Sequence, residues 1–205
     1  MRILLCSNES ASNLALVQGL LGVFGDEVVL SHEVPTPDLV SELRPHWLVS
    51  DRNGHIISQE TLILMEGRAV NTHASLLPNH RGWQPIFFSV WNGDPVGVSI
   101  HFIDRGLDTG NILFQTELAV SPADTLKSLY ERSRLIGLEG LVSLLPQMRA
   151  DSLDGRAQDE LLGSFHSKND FEELFQLLPR KWDSEVQEVW ARREGDAFSR
   201  LSMEL

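Results

Sequence analysis

Arg68-Ala69-Val70-Asn71-Thr72-His73-Ala74-Ser75-Leu76-Leu77-Pro78 runs from a short apolar segment into polar side chains and then a proline. Residues 68–70 read as a buried strand. Along a strand positions i and i+2 face the same side, so Asn71 and His73 can converge on one ligand. Pro78 ends the regular structure. Arg81-Gly82 and Pro85 follow, and Leu107-Asp108-Thr109-Gly110 supplies a distant carboxylate. An amide, an imidazole and a carboxylate together suit acyl transfer to an amine. The carbonyl oxygen gains negative charge under attack, and Asn and His donors stabilise it. The carboxylate orients the imidazole or takes the amine's proton. A lone Asn-x-His pair is more simply a hydrogen-bonded strand end; the ordered series after it argues for chemistry.

Outward from this stretch, apolar runs alternate with helical periodicity. Residues 2–6 read as a strand and 12–24 as a helix with Leu14, Val17, Leu20, Leu21 and Phe24 on one broad face. Gly25-Asp26 breaks it before a strand at 27–30. Pro35-Thr36-Pro37-Asp38 opens a short helix to Leu43, 47–50 form a third strand, and Ser58 caps a helix over 59–65. Strand-helix alternation of this kind predicts an α/β fold, a Rossmann-like, doubly wound and mostly parallel sheet. Ligands in such sheets sit beyond the carboxyl ends of the strands, where Asn71 and His73 are expected.

Residues 96–103 and 112–118 read as further strands, the second as a hairpin-like edge. Ser121-Pro122-Ala123-Asp124 has the composition of a capping box, which predicts a helix to about Leu145 and a loop over 146–159. A helix is expected over 171–178. Beyond Pro179 the stripe Trp182, Val186, Val189 and Trp190 fits packing or a homodimer contact. A catalytic domain at 1–150 and a small C-terminal extension at 151–205, packed on the core or on a partner, is the economical division of 205 residues at 42% hydrophobic content.

Composition excludes several classes. No apolar run reaches the roughly 18 residues of a membrane span, and no signal-peptide pattern opens the chain, so a cytoplasmic protein is expected. With 17 basic and 29 acidic residues the net charge is −12, which repels a nucleic-acid backbone. Cys6, the single cysteine, reads as packing in the first strand. No metal site is implied, since the histidines are scattered and no carboxylates fall at ligand spacing. The first turn lacks the Gly-x-Gly-x-x-Gly fingerprint of nicotinamide enzymes.

The run from Asn71 to Gly110 resembles the signature of the folate-dependent formyltransferases, which use N10-formyltetrahydrofolate as formyl donor. The resemblance covers roughly residues 1–135 and is strongest over 69–116. It implies that Asn71, His73 and Asp108 are the catalytic trio. Phe87-Phe88-Ser89-Val90-Trp91, Gly97-Val98-Ser99-Ile100-His101 and Ile103-Asp104-Arg105-Gly106-Leu107-Asp108-Thr109-Gly110 are most similar to the nucleotide-sugar N-formyltransferases, which are related to formylation domains of nonribosomal peptide synthetases. That likeness implies a nucleotide-linked amino sugar of the dTDP-4-amino-4,6-dideoxyhexose type as acceptor. Methionyl-tRNA formyltransferases share His-Ala-Ser-Leu-Leu-Pro but carry a further RNA-binding domain. Phosphoribosylglycinamide formyltransferase has a glycine-rich first turn, whereas residues 7–13 here read Ser-Asn-Glu-Ser-Ala-Ser-Asn, with a carboxylate that repels phosphate. Phosphoribosylglycinamide or a carrier-bound aminoacyl group remains an alternative acceptor, as does a binding module without catalysis.

By the same resemblance Gly54, His55, Ile57, Ile103, Asp104 and Leu107 lie near the pterin, the 51–57 loop chiefly through its backbone. Arg81, His166 and Lys168 are candidate contacts for the nucleotide; the plainer alternative for each is an ordinary turn or a solvated charge. Trp83, Phe87, Phe88 and Trp91 can wall the site or pack a helix on the core, the second being the commoner use. His101 fits a structural or a site histidine equally. His32, His46 and His80 read as surface groups.

Overall fold

The computed structural model describes residues 1–8, 11–22 and 25–203. Its centre is a six-stranded sheet of β1 (Arg2–Cys6), β2 (Glu27–Ser31), β3 (Trp47–Asp51), β4 (Ala69–His73), β6 (Gly97–Phe102) and β7 (Ile112–Glu117), in the order β2-β1-β3-β4-β6-β7. A separate pair joins β5 (Arg81–Gly82) to β8 (Phe165–His166) in parallel. The first four strands of the large sheet are parallel; β6 runs antiparallel to β4, and β7 antiparallel to β6. Among the described residues, seven α-helices flank them: α1 (Ala11–Leu21), α2 (Pro37–Leu43), α3 (Gln59–Met65), α4 (Pro85–Asn92), α5 (Leu126–Arg149), α6 (Lys168–Phe175) and α7 (Val186–Met203).

The inner strands β1 and β3 are buried on both faces, so they read as largely apolar runs. Ile3, Leu5, Trp47, Val49 and Val70 face α1 and α5 through Val17, Leu21, Leu138 and Leu141. The alternate residues Leu4, Cys6, Leu48 and Ala69 face Val40 and Met65 of α2 and α3. Burial pushes the Cys6 thiol up to about 12, which keeps it a protonated packing group. A third cluster joins Phe87 and Phe88 of α4 to Leu126 and Leu129 of α5, Phe171 of α6 and Val186 and Val189 of α7. Phe87, Phe88 and Trp91 are thus core residues. Among the described residues no helix is long and apolar enough to cross a membrane.

Thr36 and Ser58 cap α2 and α3 by accepting from Leu39 N and Thr61 N. Several boundaries differ from expectation. The long helix starts at Leu126 because Thr125 and Ser128 form the reciprocal capping box, while Asp124 accepts from Ser121 N and closes a turn. It then continues through Pro146 to Arg149, because its last turn is anchored: Met148 is buried and its carbonyl accepts from Trp47 Nε1 at 2.9 Å. The following helix starts earlier, at Lys168, capped by Ser167. Glu9 and Ser10 of the first turn, and Phe24 of the expected first helix, lie outside the described residues.

Gly97 lies where β6 is crowded by its neighbours: a Cβ there would lie 2.4 Å from Leu76 Cδ2 and 2.5 Å from Thr116 O. Overpacking at such a point costs about 1–3 kcal/mol. Gly97→Ala is therefore expected to lower the urea midpoint by that free energy at an unchanged slope; wild-type stability would mean that the β6–β7 edge yields freely.

Candidate active site

The strand order reverses between β1 and β3, the place where open sheets bind ligands beyond their carboxyl ends. A cavity of about 540 Å³ opens there. Its wall takes Asn8 after β1, residues 51–56 after β3, 71–74 at the end of β4, 82–85, 107 and 108, one face of α5 and residues 165–168.

Asp108 is the hub of the cavity floor. It holds a left-handed backbone conformation at φ 55°, and its side chain is only 11% exposed. Oδ2 accepts from Gly82 N at 2.9 Å and lies 3.5 Å from His73 Nδ1. Oδ1 faces Asn71 Nδ2 at 3.4 Å and His101 Nε2 at 3.5 Å. Burial alone pushes this carboxyl pKa up, but His73, His101 and the Gly82 amide together hold it well below the usual carboxylate range. It is therefore a buried anion compensated on several sides.

His73 Nε2 lies 2.8 Å from the His80 carbonyl. A carbonyl only accepts, so Nε2 carries a hydrogen, and any proton exchanged by this ring during a reaction is exchanged at Nδ1, beside Asp108. His101 follows the same logic: Nδ1 donates to the Phe102 carbonyl at 2.8 Å, which leaves Nε2 facing Asn71 Nδ2 at 3.2 Å. His101, buried on β6 directly opposite Asn71, thus belongs to the site cluster. Thr72, on the other face of β4, donates to the buried Asp51 carboxylate.

The expected residues divide by position. Asn71, His73, Asp108, Gly54, His55, Leu107, His166 and Lys168 all line the cavity. Four others do not. Ile57 is buried against Leu4, Val40 and Met65, and Ile103 packs on that same cluster while its amide donates to Ala69 O. Asp104 is spent on its own turn, accepting from Gly106 N and Thr109 Oγ1. Arg81 turns away, its guanidinium donating to Gln158 Oε1 at 2.8 and 3.2 Å. His80 is no surface group: it is 2% exposed, with Nδ1 3.0 Å from His166 Nε2.

Sequence reasoning missed Tyr130, Ser133, Arg134 and Gly137 of α5, which line the cavity at i, i+3, i+4 and i+7. The signal was a polar stripe on a helix face that borders otherwise core-facing positions. Arg52 was missed as well. It adopts φ 52°, lies 3.7 Å over the Tyr130 ring, and donates to Tyr130 O at 2.9 Å. These groups add donors to the cavity, as does Lys168, whose ammonium lies 5.8 Å from the Trp83 ring centre.

Comparison with known proteins adds lineage to this geometry. The family described as formyl transferase matches residues 31–145. The chain is similar to the methionyl-tRNA formyltransferase of Ruminiclostridium cellulolyticum, 34% identical over 145 residues, which are 69% of this chain and 46% of that protein. It spans about half the length of the curated relatives it matches. It is also similar to the formyltransferase PseJ from Anoxybacillus kamchatkensis, whose crystal structure is in complex with UDP-4,6-dideoxy-4-formamido-L-AltNAc and tetrahydrofolate. There the identity is 31%, the TM-score 0.83, and the match covers 94% of this chain and 100% of that one. A sugar N-formyltransferase from Shewanella sp. FDAARGOS_354 shares the fold at 23% identity and a TM-score of 0.72, over 92% of this chain and 85% of that one.

The buried His80 carries a pH signature. Burial, helped by the nearby His166, pushes its pKa from 6.5 down to about 4, against the opposing pull of Asp94. Between these values the unfolded chain takes up a proton that the folded chain refuses, so this contribution to stability is complete above pH 6.5 and is lost as pH falls toward 4. The urea midpoint is expected to decline across that window, and to decline less in His80→Asn, which tolerates the left-handed backbone. Equal slopes in the two proteins would locate the titration elsewhere.

Proposed function

The chain belongs to the formyl transferase family of enzymes, and we propose that it moves a formyl group from N10-formyltetrahydrofolate to the amine of a nucleotide-linked 4-amino-4,6-dideoxyhexose. The observation that carries this reading is the convergence of Asn71, His73 and Asp108 on the floor of one cavity large enough for the reacting ends of two ligands. The likeness to PseJ, along the whole of that chain and with a formamido-sugar nucleotide and tetrahydrofolate bound there, supports an amino-sugar acceptor.

The residues fit the donor in kind. Gly54 and His55 offer backbone at one wall, Leu107 an apolar edge, and Asn71 and His73 polar groups at the floor. The donor supplies a carbonyl carbon for the amine to attack. Asn71 Nδ2 is held only by long contacts of 3.2 and 3.4 Å, so its N–H groups are free to shift to the carbonyl oxygen as that atom gains charge. His73 takes the amine's proton at Nδ1 and returns it to the departing nitrogen, while Asp108 compensates the positive ring. His166 and Lys168, on the Trp83 side, are candidate contacts for the nucleotide.

A second acceptor is methionyl-tRNA, favoured by the names of the curated relatives. The net charge of −12 opposes it, because a tRNA backbone would have to approach an acidic surface.

Incubation with N10-formyltetrahydrofolate and, in turn, UDP- and dTDP-linked 4-amino-4,6-dideoxyhexoses, phosphoribosylglycinamide, an aminoacyl carrier and methionyl-tRNA separates these readings by mass spectrometry. A gain of one formyl group is expected on a sugar nucleotide alone. Asn71→Ala and His73→Ala are each expected to slow turnover by roughly 10²- to 10³-fold with the fold intact. Formylation of another amine instead would overturn the acceptor; folate binding without any product would overturn the catalysis.

A further inference from the structure

Residues 80–82 form a strap against the cavity floor, and both members of the His73–Asp108 pair are held by its backbone. His73 Nε2 donates to the His80 carbonyl at 2.8 Å, and Gly82 N donates to Asp108 Oδ2 at 2.9 Å. Neither bond uses a side chain of the strap. The placement of both groups therefore depends on where this short piece of backbone lies.

The backbone is fixed from a distant part of the chain. His80 N donates to Ser164 Oγ at 2.8 Å, Arg81 N to Ser164 O at 2.9 Å and Trp83 N to His166 O at 2.9 Å, which completes the β5–β8 pair. His80 sits at φ 57°, a left-handed conformation that costs a residue with a Cβ roughly 1–2 kcal/mol and so must be held by its surroundings. Gly82, at φ 90°, has no alternative, since a Cβ there would lie 2.5 Å from His166 O.

Besides the Arg81 guanidinium on Gln158, the ring of His80 ties the strap down. Its Nδ1 lies 3.0 Å from His166 Nε2, and its Nε2 lies 3.1 Å from Asp94 Oδ2, off the line of a good hydrogen bond. His166 in turn lies flat on Phe88, ring centres 3.7 Å apart at 5°. At the imidazole–imidazole contact one nitrogen donates and the other accepts. The charged groups facing this pair are Asp94 and Asp170, with His73 beyond the His80 carbonyl.

Resting on the reading of His73 and Asp108 given above, we infer that His166 is a positioning residue for formyl transfer: its bond to His80 holds the strap that fixes the His73 tautomer and the Asp108 carboxylate. The segment that brings Ser164 and His166 is therefore part of the catalytic apparatus. Supporting groups of this kind act on turnover, because misplacing a reacting group by about 1 Å costs up to roughly 10²-fold.

The test compares His166→Phe, which keeps a flat ring on Phe88 without the nitrogen, with His166→Gln, which restores a hydrogen-bonding group. In steady-state assays with the amine that the wild type accepts, His166→Phe is expected to lower kcat by about 10- to 100-fold with KM for the formyl donor little changed. His166→Gln is expected to recover most of the loss. Nitrogen-15 imidazole spectra of the ligand-free protein should place the His73 hydrogen on Nε2 in the wild type and spread it over both nitrogens in His166→Phe. If His166→Phe does not fold, Ser164→Ala, which removes only the bond to His80 N, serves in its place. Wild-type kcat, or an unchanged His73 spectrum, in the variant used overturns the inference. A wild type that formylates no amine overturns the functional reading, and the spectra then decide the positioning alone.

Discussion

An ionised carboxylate out of bulk water must be compensated or it is neutralised, and the site is built around that constraint at Asp108. The Gly82 and Asn71 amides donate to it, and the imidazoles of His73 and His101 stand 3.5 Å away, where a proton on either facing nitrogen adds a positive charge. They come from β5, β4 and β6, so the charge ties together elements that chain connectivity leaves apart. Removing any one partner changes the orientation of the rest, because the carboxylate's two oxygens divide them between Gly82 and His73 on one side and Asn71 and His101 on the other.

The sheet supplies the platform for this cluster. β4 pairs in register with the fully buried β3 and delivers Asn71 and His73 to one side while Thr72 on the other bonds to Asp51. The switch to an antiparallel β6 places His101 directly opposite Asn71. The open crevice between β1 and β3 then leaves the cavity beside the cluster.

What could be read in advance followed local physics. The apolar run 2–6 and the capped segment 59–65 fall where the structure has β1 and α3, because burial on both faces and a serine cap are local signals. Pro146 misled because the cost of a proline within a helix is local, whereas the anchoring of Met148 by Trp47, a hundred residues away in sequence, is not. The cap at Thr125 in place of Ser121 depended on how Asp124 spent its oxygens, on Ser121 N and Arg132. His80 looked like a surface histidine because its partner His166 lies 86 residues further along the chain.

The sequence by itself determined the class of fold, the strand that carries Asn71 and His73, and the residue types suited to acyl transfer, since periodicity, caps and side-chain chemistry act over a few residues. Only the tertiary structure decided which of the candidate groups reach the cavity. Ile57 and Arg81 are adjacent in sequence to residues that line it, and Ile103 and Asp104 lie within four residues of Leu107, yet packing and local hydrogen bonds direct them elsewhere. The face of α5 and the His80–His166 contact enter the site through pairings between distant segments. A side chain's direction is fixed by the neighbours that fill the space around it, and those neighbours are known only once the chain has closed on itself.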